Sequence, residues 1–371
     1  MKIAVIHQGI FPDRFANRVH VINTCYSFSK NHDVELFSYY ISNPKTASDI
    51  LSYYGINANF SITQIKLLNI KFIRGLFKLL IFPLIALKKA RKADVVYTRS
   101  AIIALLSTWK KQACILELHT PIQLANPKLT KLGLFNALFS NPYLKKLVAI
   151  SQPILDDMSH LPIPKNKCLV YPDAVNIEHF TPQKKSPLTS SSTLVYCGSF
   201  TTGRGLELIL ELAKLMPQNN VIMYGGKPHE IEEKKQACSD LKNIEFRGFL
   251  EHKDVPKALS EADILLAPYQ KKIQLSVTVD TGKYASPLKL FEYMATGIPI
   301  ICSDTPVLRE VMKHKENCML ASPTDVKEWQ AAVEALQNSD ELRTTISQNA
   351  IQEATNTYNW DTRCKKILEN L

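Results

Sequence analysis

The feature that most constrains this chain is the alternation of short apolar, β-prone runs with helical spacing along most of its length. Such alternation argues for parallel sheets covered by helices on both faces, because a parallel strand is reached only by a crossover. KIAVIH, DVELFS, SITQIKLL, DVVYTR, ACILELH and KLVAIS fill the first half; TLVYCG, NVIMYGG, NIEFRG, DILLAP and IPIICS fill the second. Each set suffices for its own doubly wound sheet, and 371 residues suits two ordinary domains. Between the sets lies PQKKSPLTSSST, Ser- and Pro-rich and without apolar period, which reads as a linker. The expected organisation is an α/β chain with a Rossmann-like domain over 1–181, a linker at 182–192, a second Rossmann-like domain over 193–355 and a closing helix over 356–371.

Charge separates the two halves. Residues 1–170 carry 22 Lys and Arg against 8 Asp and Glu, or +14, and the remainder carries 23 against 26, or −3. Different partners for the two domains follow. The eight cysteines form no CxxC pair, and Cys197 and Cys302 sit inside strand-like runs, as expected of buried free thiols in a reducing compartment. MKIAVIHQG reads as a first strand, too soon interrupted for a signal peptide. The longest uncharged apolar run, LLIFPLIAL, is about half of what a helix needs to cross a bilayer.

The segment ASPLKLFEYMATGIPIICSD carries the sharpest chemical signal. Ser286 suits an N-cap, Pro287 the first helical position, and Leu288, Phe291 and Met294 keep helical spacing. Gly297 and Pro299 stop the helix before a strand. A helix start offers free N–H groups and a positive dipole end, which suits a diphosphate. Lys289 in that first turn is unfavourable on dipole grounds unless an anion compensates it. Glu292, on a mostly apolar helix, could accept from two vicinal ribose hydroxyls. Lys289 and Glu292 could equally pair with each other at i and i+3.

SPLKLFEYMATGIPII resembles the donor site of family-4 retaining glycosyltransferases (glycosyl transferases group 1) of the GT-B fold. That resemblance implies two Rossmann-like domains facing across a cleft, with a terminal helix crossing back to the first. Glu292 matches the family's ribose-binding glutamate; the other family glutamate falls at Tyr284, which puts the sugar contacts in doubt. The loop at Ser286, Pro287, Leu288 and Lys289 would face the diphosphate. YCGSFTTGRGLELILELAKLMP is similar to the glycine loop opening the family's second domain, with Gly198, Ser199, Arg204 and Gly205. Ser199 stands where the family has an arginine, and Arg204 would clamp phosphate. Gly225 and Gly226 in VIMYGG would line the cleft, and main chain near Arg247, Phe249 and Leu250 would hold the base.

In the first domain the resemblance places Gly9 near the donor, Asn17 and Arg99 on the acceptor side, and His119 opposite the donor sugar. A lone histidine at a strand end can also be purely structural. Ala174 stands in the hinge stretch where glycine is common. The implied reaction is retaining transfer of a sugar from a nucleoside diphosphate, UDP or GDP, to an acceptor hydroxyl, with His119, Arg204 and Lys289 as the catalytic group. No DxD motif is present and no metal or separate cofactor is expected. A GT-B epimerase and a catalytically weak nucleotide-sugar binder are the alternatives.

Eight basic residues and no acid lie from Lys66 to Lys92, interleaved with Leu76, Phe77, Leu79, Leu80, Ile81 and Phe82. The stretch suits an anionic membrane surface, or a helix packed on the sheet with a solvated basic edge. A lipid-linked or saccharide acceptor is expected, in making cell-surface polysaccharide or glycolipid, with the protein cytoplasmic on the inner face of the cell membrane. No aromatic-basic motif for nucleic acid appears.

Overall fold

Four of the five residues of β1 (Lys2–Ile6) are buried and apolar, the mark of a strand covered on both faces. The computed structural model describes residues 1–58, 60–67, 75, 77–182, 191–272, 274–276, 279–280 and 282–371. Most of the expected linker (183–190), together with Lys71, Arg74 and Leu76 of the basic stretch, lies outside them. Two units result: Met1–Pro172 with Trp360–Leu371, and Asp173–Asn359.

In the first unit β1 is joined by β2 (Asp33–Tyr40), β3 (Ser61–Lys66), β4 (Val95–Thr98), β5 (Cys114–Leu118), β6 (Leu144–Ala149) and β7 (Cys168–Val170). Among the described residues they form a parallel sheet in the order β3-β2-β1-β4-β5-β6-β7. The chain therefore winds one way from β1 through β3 and the other way from β4 onward. The strand order reverses between β1 and β4, where such sheets leave a crevice outside the carboxyl ends. The helix Trp360–Leu368 belongs to this unit: Ser27 donates to the Trp360 carbonyl at 3.1 Å, and Arg363 Nε to the Pro172 carbonyl at 2.8 Å.

The second unit contains β8 (Thr193–Cys197), β9 (Asn220–Tyr224), β10 (Ile244–Gly248), β11 (Ile264–Ala267), a ribbon of β12 (Gln274–Ser276) and β13 (Val279–Asp280), β14 (Ile300–Ser303) and β15 (Met319–Ala321). Its main sheet, also parallel, runs β10-β9-β8-β11-β14-β15 and reverses between β8 and β11. Successive residues of β8 feed opposite cores. Leu194 and Tyr196 pack with Trp329 and the helix Leu206–Leu215, whereas Val195 packs with Phe291 and Met294 of the helix Leu288–Thr296. Strand period and helix spacing thus place both site helices on their sides of the sheet.

β7 and β15, of three residues each, go beyond the strand runs read from the sequence. All eight cysteines are free. No helix among the described residues is long and apolar enough to cross a membrane.

Gly205 opens the helix Leu206–Leu215 at φ +72°, and a Cβ there would lie 1.8 Å from the Pro268 carbonyl oxygen. Both the left-handed backbone and this close approach to the end of β11 require glycine. Gly205→Ala should lower stability by about 2 kcal/mol or more in urea unfolding, through strain and displacement of the loop.

Candidate functional site

The carboxyl ends of β8 and β11 bring together the charged residues singled out in the second unit. The Cys197 N–H donates to the Tyr293 hydroxyl at 2.9 Å, tying the end of β8 to the helix Leu288–Thr296. A Cβ on Gly198 would fall 2.5 Å from Lys289 Nζ and 2.9 Å from the Tyr196 hydroxyl, so the ammonium descends where the glycine leaves room. That ammonium lies over the rings of Tyr196 and Tyr269, 4.0 and 5.0 Å from their centroids. The Arg204 guanidinium covers the same Tyr269 ring at 5.4 Å. Neither cation pairs with an acid among the described residues. Among the described residues, buried Arg204 Nε and the buried Tyr269 hydroxyl have no hydrogen-bond partner. Burial, and then Arg204, lowers the Lys289 pKa to about 7. Two cations and two orphaned donors on one aromatic floor are arranged to receive an anion.

The Ser286 hydroxyl does not cap the helix. It accepts from the Asp173 N–H at 2.8 Å, Pro287 takes the N-cap position, and Leu288 begins the helix without a side-chain cap. A serine hydroxyl competes for nearby N–H groups, and here it takes the one at Asp173. Glu292 does not pair with Lys289 but bonds His252 Nε2 at 2.9 Å, both side chains being mostly buried. Arg247 is committed to Glu245 at 2.8 and 2.9 Å, to the Tyr224 hydroxyl at 2.6 Å and to Glu261. Its neighbourhood offers main chain: the Gly248 carbonyl takes the Gly225 N–H at 2.6 Å. Gly226 lies against the Phe200 ring, Phe249 is half-exposed, and Leu250 packs on the core. The Ser199 hydroxyl lies 3.1 Å from that of Thr201, and its carbonyl accepts from Tyr196. Tyr284 is buried.

The first unit holds Gly9 and His119. Gly9 lies in the loop after β1 beneath the Arg18 guanidinium, which reaches His7 Nε2 at 2.8 Å. Arg99 follows β4 and reaches the Asn17 carbonyl at 3.4 Å, which joins the two residues expected on the acceptor side. His119 follows β5, with Nε2 2.7 Å from Glu117 Oε1 and 20% of its side chain exposed. Glu117 is wholly buried and also meets Arg363 at 2.6 Å, His20 at 3.0 Å and the Tyr97 hydroxyl. Burial alone would push the Glu117 carboxyl up, but Arg363, His20 and His119 hold it well below the usual carboxylate range. Burial, then Arg99, pushes His119 well below the ordinary imidazole value, so its ring is neutral.

His20, Glu117 and His119 place their ligand atoms within 4.8 Å of one another, the spacing of a metal triad. The carboxylate already receives the His119 imidazole, the Arg363 guanidinium and the Tyr97 phenol, with His20 Nε2 3.0 Å away. A cation there would sit beside Arg363, 2.6 Å from the same carboxylate. Hydrogen bonding is the better description.

Residues 179–353, inside the second unit, match the model of the family described as glycosyl transferases group 1. This stretch is a glycosyl transferases group 1 domain. It contains the whole Gly198, Arg204, Lys289 and Glu292 group. The chain is 24% identical over 172 residues to the amylovoran biosynthesis glycosyltransferase AmsK of Erwinia amylovora, covering 44% of this chain and 40% of that one. It is 25% identical over 203 residues to a phosphatidyl-myo-inositol mannosyltransferase of Mycobacterium leprae, covering 53% and 51%. The chain thus spans about half the length of the curated relatives it matches. Among solved structures, Anabaena HepE in complex with UDP superposes on 100% of this chain and 99% of its own, with a TM-score of 0.74 and 15% identity. That likeness shows the fold, GT-B.

Tyr196, Tyr269 and His252 escaped sequence reading because each is ordinary in its own segment and meets the group 1 motif only in space. Lys289 offers a check on the local electrostatics. Between about pH 7 and the ordinary lysine value of 10.5, the unfolded chain holds a proton that folded Lys289 lacks, so stability from this group rises with pH. Lys289→Met should therefore raise the melting temperature of the ligand-free protein at pH 7, and the gain should shrink towards pH 10. A gain independent of pH would count against a strained ammonium.

Proposed function

We propose that this protein is a retaining, metal-independent glycosyltransferase that moves a sugar from a nucleoside diphosphate, UDP or GDP, to an acceptor hydroxyl. The observation that carries the proposal is the unneutralised pair Lys289 and Arg204, with the orphaned Arg204 Nε and Tyr269 hydroxyl, at the strand-order reversal of a group 1 domain. As the bond to the anomeric carbon breaks, negative charge grows on the diphosphate. These fixed groups stabilise that charge, together with the uncapped start of the helix Leu288–Thr296, and they need no reorganisation to do so. The acceptor oxygen attacks the face the diphosphate leaves, and its proton passes to a departing phosphate oxygen. Glu292, steadied by His252, receives the ribose hydroxyls. HepE bound to UDP supports the donor class.

The test is a thermal-shift screen against UDP, GDP, ADP and their sugars. A cognate diphosphate at a hundredfold excess over Kd adds about 2.7 kcal/mol of apparent stability. Because an anion raises the Lys289 pKa, affinity should be highest below pH 7 and fall by up to about tenfold per pH unit above it. Lys289→Met should flatten that dependence, and Glu292→Gln should weaken nucleotide binding at every pH. Silence from all the nucleotides would sink the reading.

The acceptor is lipid-linked or a saccharide, and the protein works against an anionic membrane from the cytoplasmic side, in making cell-surface polysaccharide or glycolipid. The amylovoran-making relative supports the polysaccharide role. In the basic stretch Phe77 and Phe82 turn into the core while Leu79, Leu80 and Leu84 stay exposed beside Lys88, Lys89 and Arg91. A pocket of about 700 Å³, lined by Leu84, Lys88, Arg91, Lys110 and Lys111 among others, suits an anionic headgroup. Co-sedimentation with phosphatidylglycerol vesicles should exceed that with phosphatidylcholine. It should weaken about fivefold for each of Lys88, Arg91 and Lys111 changed to Ala. Equal binding to both lipids would remove the membrane from the proposal.

A further inference from the structure

Glu117 is engaged by four side chains of the first unit, and of these only His119 has a role in the family resemblance. One oxygen of the carboxylate, Oε2, takes Arg363 Nη2 at 2.6 Å and the Tyr97 hydroxyl. The other, Oε1, faces His119 Nε2 at 2.7 Å and His20 Nε2 at 3.0 Å. Glu117, Arg363 and His20 are each at most 2% exposed, so this geometry is not shared with solvent. Trp360, three residues before Arg363 on the same helix, stands edge-on to the His20 ring at 4.9 Å, and His20 stands edge-on to His119 at 4.8 Å.

We propose that Arg363 is a positioning residue for His119: acting through Glu117, it fixes the imidazole with Nε2–H towards the carboxylate and leaves Nδ1 as an acceptor for a substrate hydroxyl. The inference rests on the transferase reading for the identity of that hydroxyl. An ionised carboxylate has only acceptors, so the His119 nitrogen facing it must carry the proton, and the other nitrogen of a neutral ring is then bare. Arg363 and Tyr97 saturate Oε2 and leave Oε1 to the imidazoles. Without the guanidinium the buried carboxyl would gain a proton of its own or turn, and either event frees the His119 ring. The wall of His20 and Trp360 then sets the ring plane but not the tautomer. Outer partners of this kind typically change activity by about 10- to 100-fold when removed.

The experiment uses the full chain labelled with ¹⁵N, in which histidine ring shifts report the tautomer, alongside release of nucleoside diphosphate from the donor sugar that the screen identifies. The parent should show His119 as the Nε2–H form. Arg363→Met and Glu117→Gln should give mixed tautomers and lower kcat about tenfold or more, with the donor KM within about twofold. Arg363→Lys, which keeps the charge, should restore the parent shifts, and Glu117→Gln carries the test if Arg363→Met does not fold. In a His119→Ala background neither change at 363 should cost further turnover. Unchanged His119 shifts in Arg363→Met and Glu117→Gln, or losses that multiply with His119→Ala, would overturn the proposal. A parent that responds to no nucleoside diphosphate overturns the transferase reading instead, and the ring shifts still decide whether Arg363 governs His119.

Discussion

A parallel strand cannot be closed by a tight turn, and this constraint shapes everything else in the molecule. Each strand must be reached by a crossover, each crossover covers a face of the sheet, and the only open ground left is where the winding changes direction. That happens between β1 and β4 in one unit and between β8 and β11 in the other. Gly9, Asn17 and Arg99 lie at the first reversal, with His119 one strand farther along. Gly198, Arg204 and Tyr269 lie at the second, and Lys289 reaches into it from the next helix. The candidate site residues are few because the topology offers few places to put them.

At the second reversal the balance of charge is deliberately poor. An ammonium and a guanidinium lie over the faces of two tyrosines, and neither pairs with a carboxylate among the described residues. Cation–π contact contributes about 1 kcal/mol or somewhat more per pair, less than the cost of holding two like charges out of water. Holding the two cations together there therefore costs stability. The first unit does the opposite. Glu117 is buried beyond reach of water but fully matched by Arg363, Tyr97 and two imidazoles, so that cluster is stiff without any ligand. One site is poised by deficit and the other by completeness.

Most of the fold was legible in the sequence because the strands of a parallel sheet are long apolar runs with few competing interpretations. β7 and β15 were not, since three residues carry too little pattern to separate an edge strand from a loop. The helix at Leu288 was readable from its Gly297 stop and its spacing, but the use of Ser286 was not. Which N–H a serine hydroxyl finds depends on Asp173, more than a hundred positions away. Lys289 and Glu292 stood out as charged residues on an apolar helix. Their partners did not, because Tyr196, Tyr269 and His252 come from other strands and turns. The Glu117 network was the least visible, assembled as it is from four separate stretches of chain.

The helix Trp360–Leu368 follows the entire second unit in sequence yet completes the first. During synthesis, residues 1–172 leave the ribosome with Glu117 lacking its counter-charge and with the apolar groove along Ala16–Ser29 uncovered. They must wait for nearly two hundred more residues before Arg363 and Trp360 arrive, so the first unit to emerge is the last to have all its residues. A chain ending before Arg363 would carry a first unit with a buried, uncompensated carboxylate.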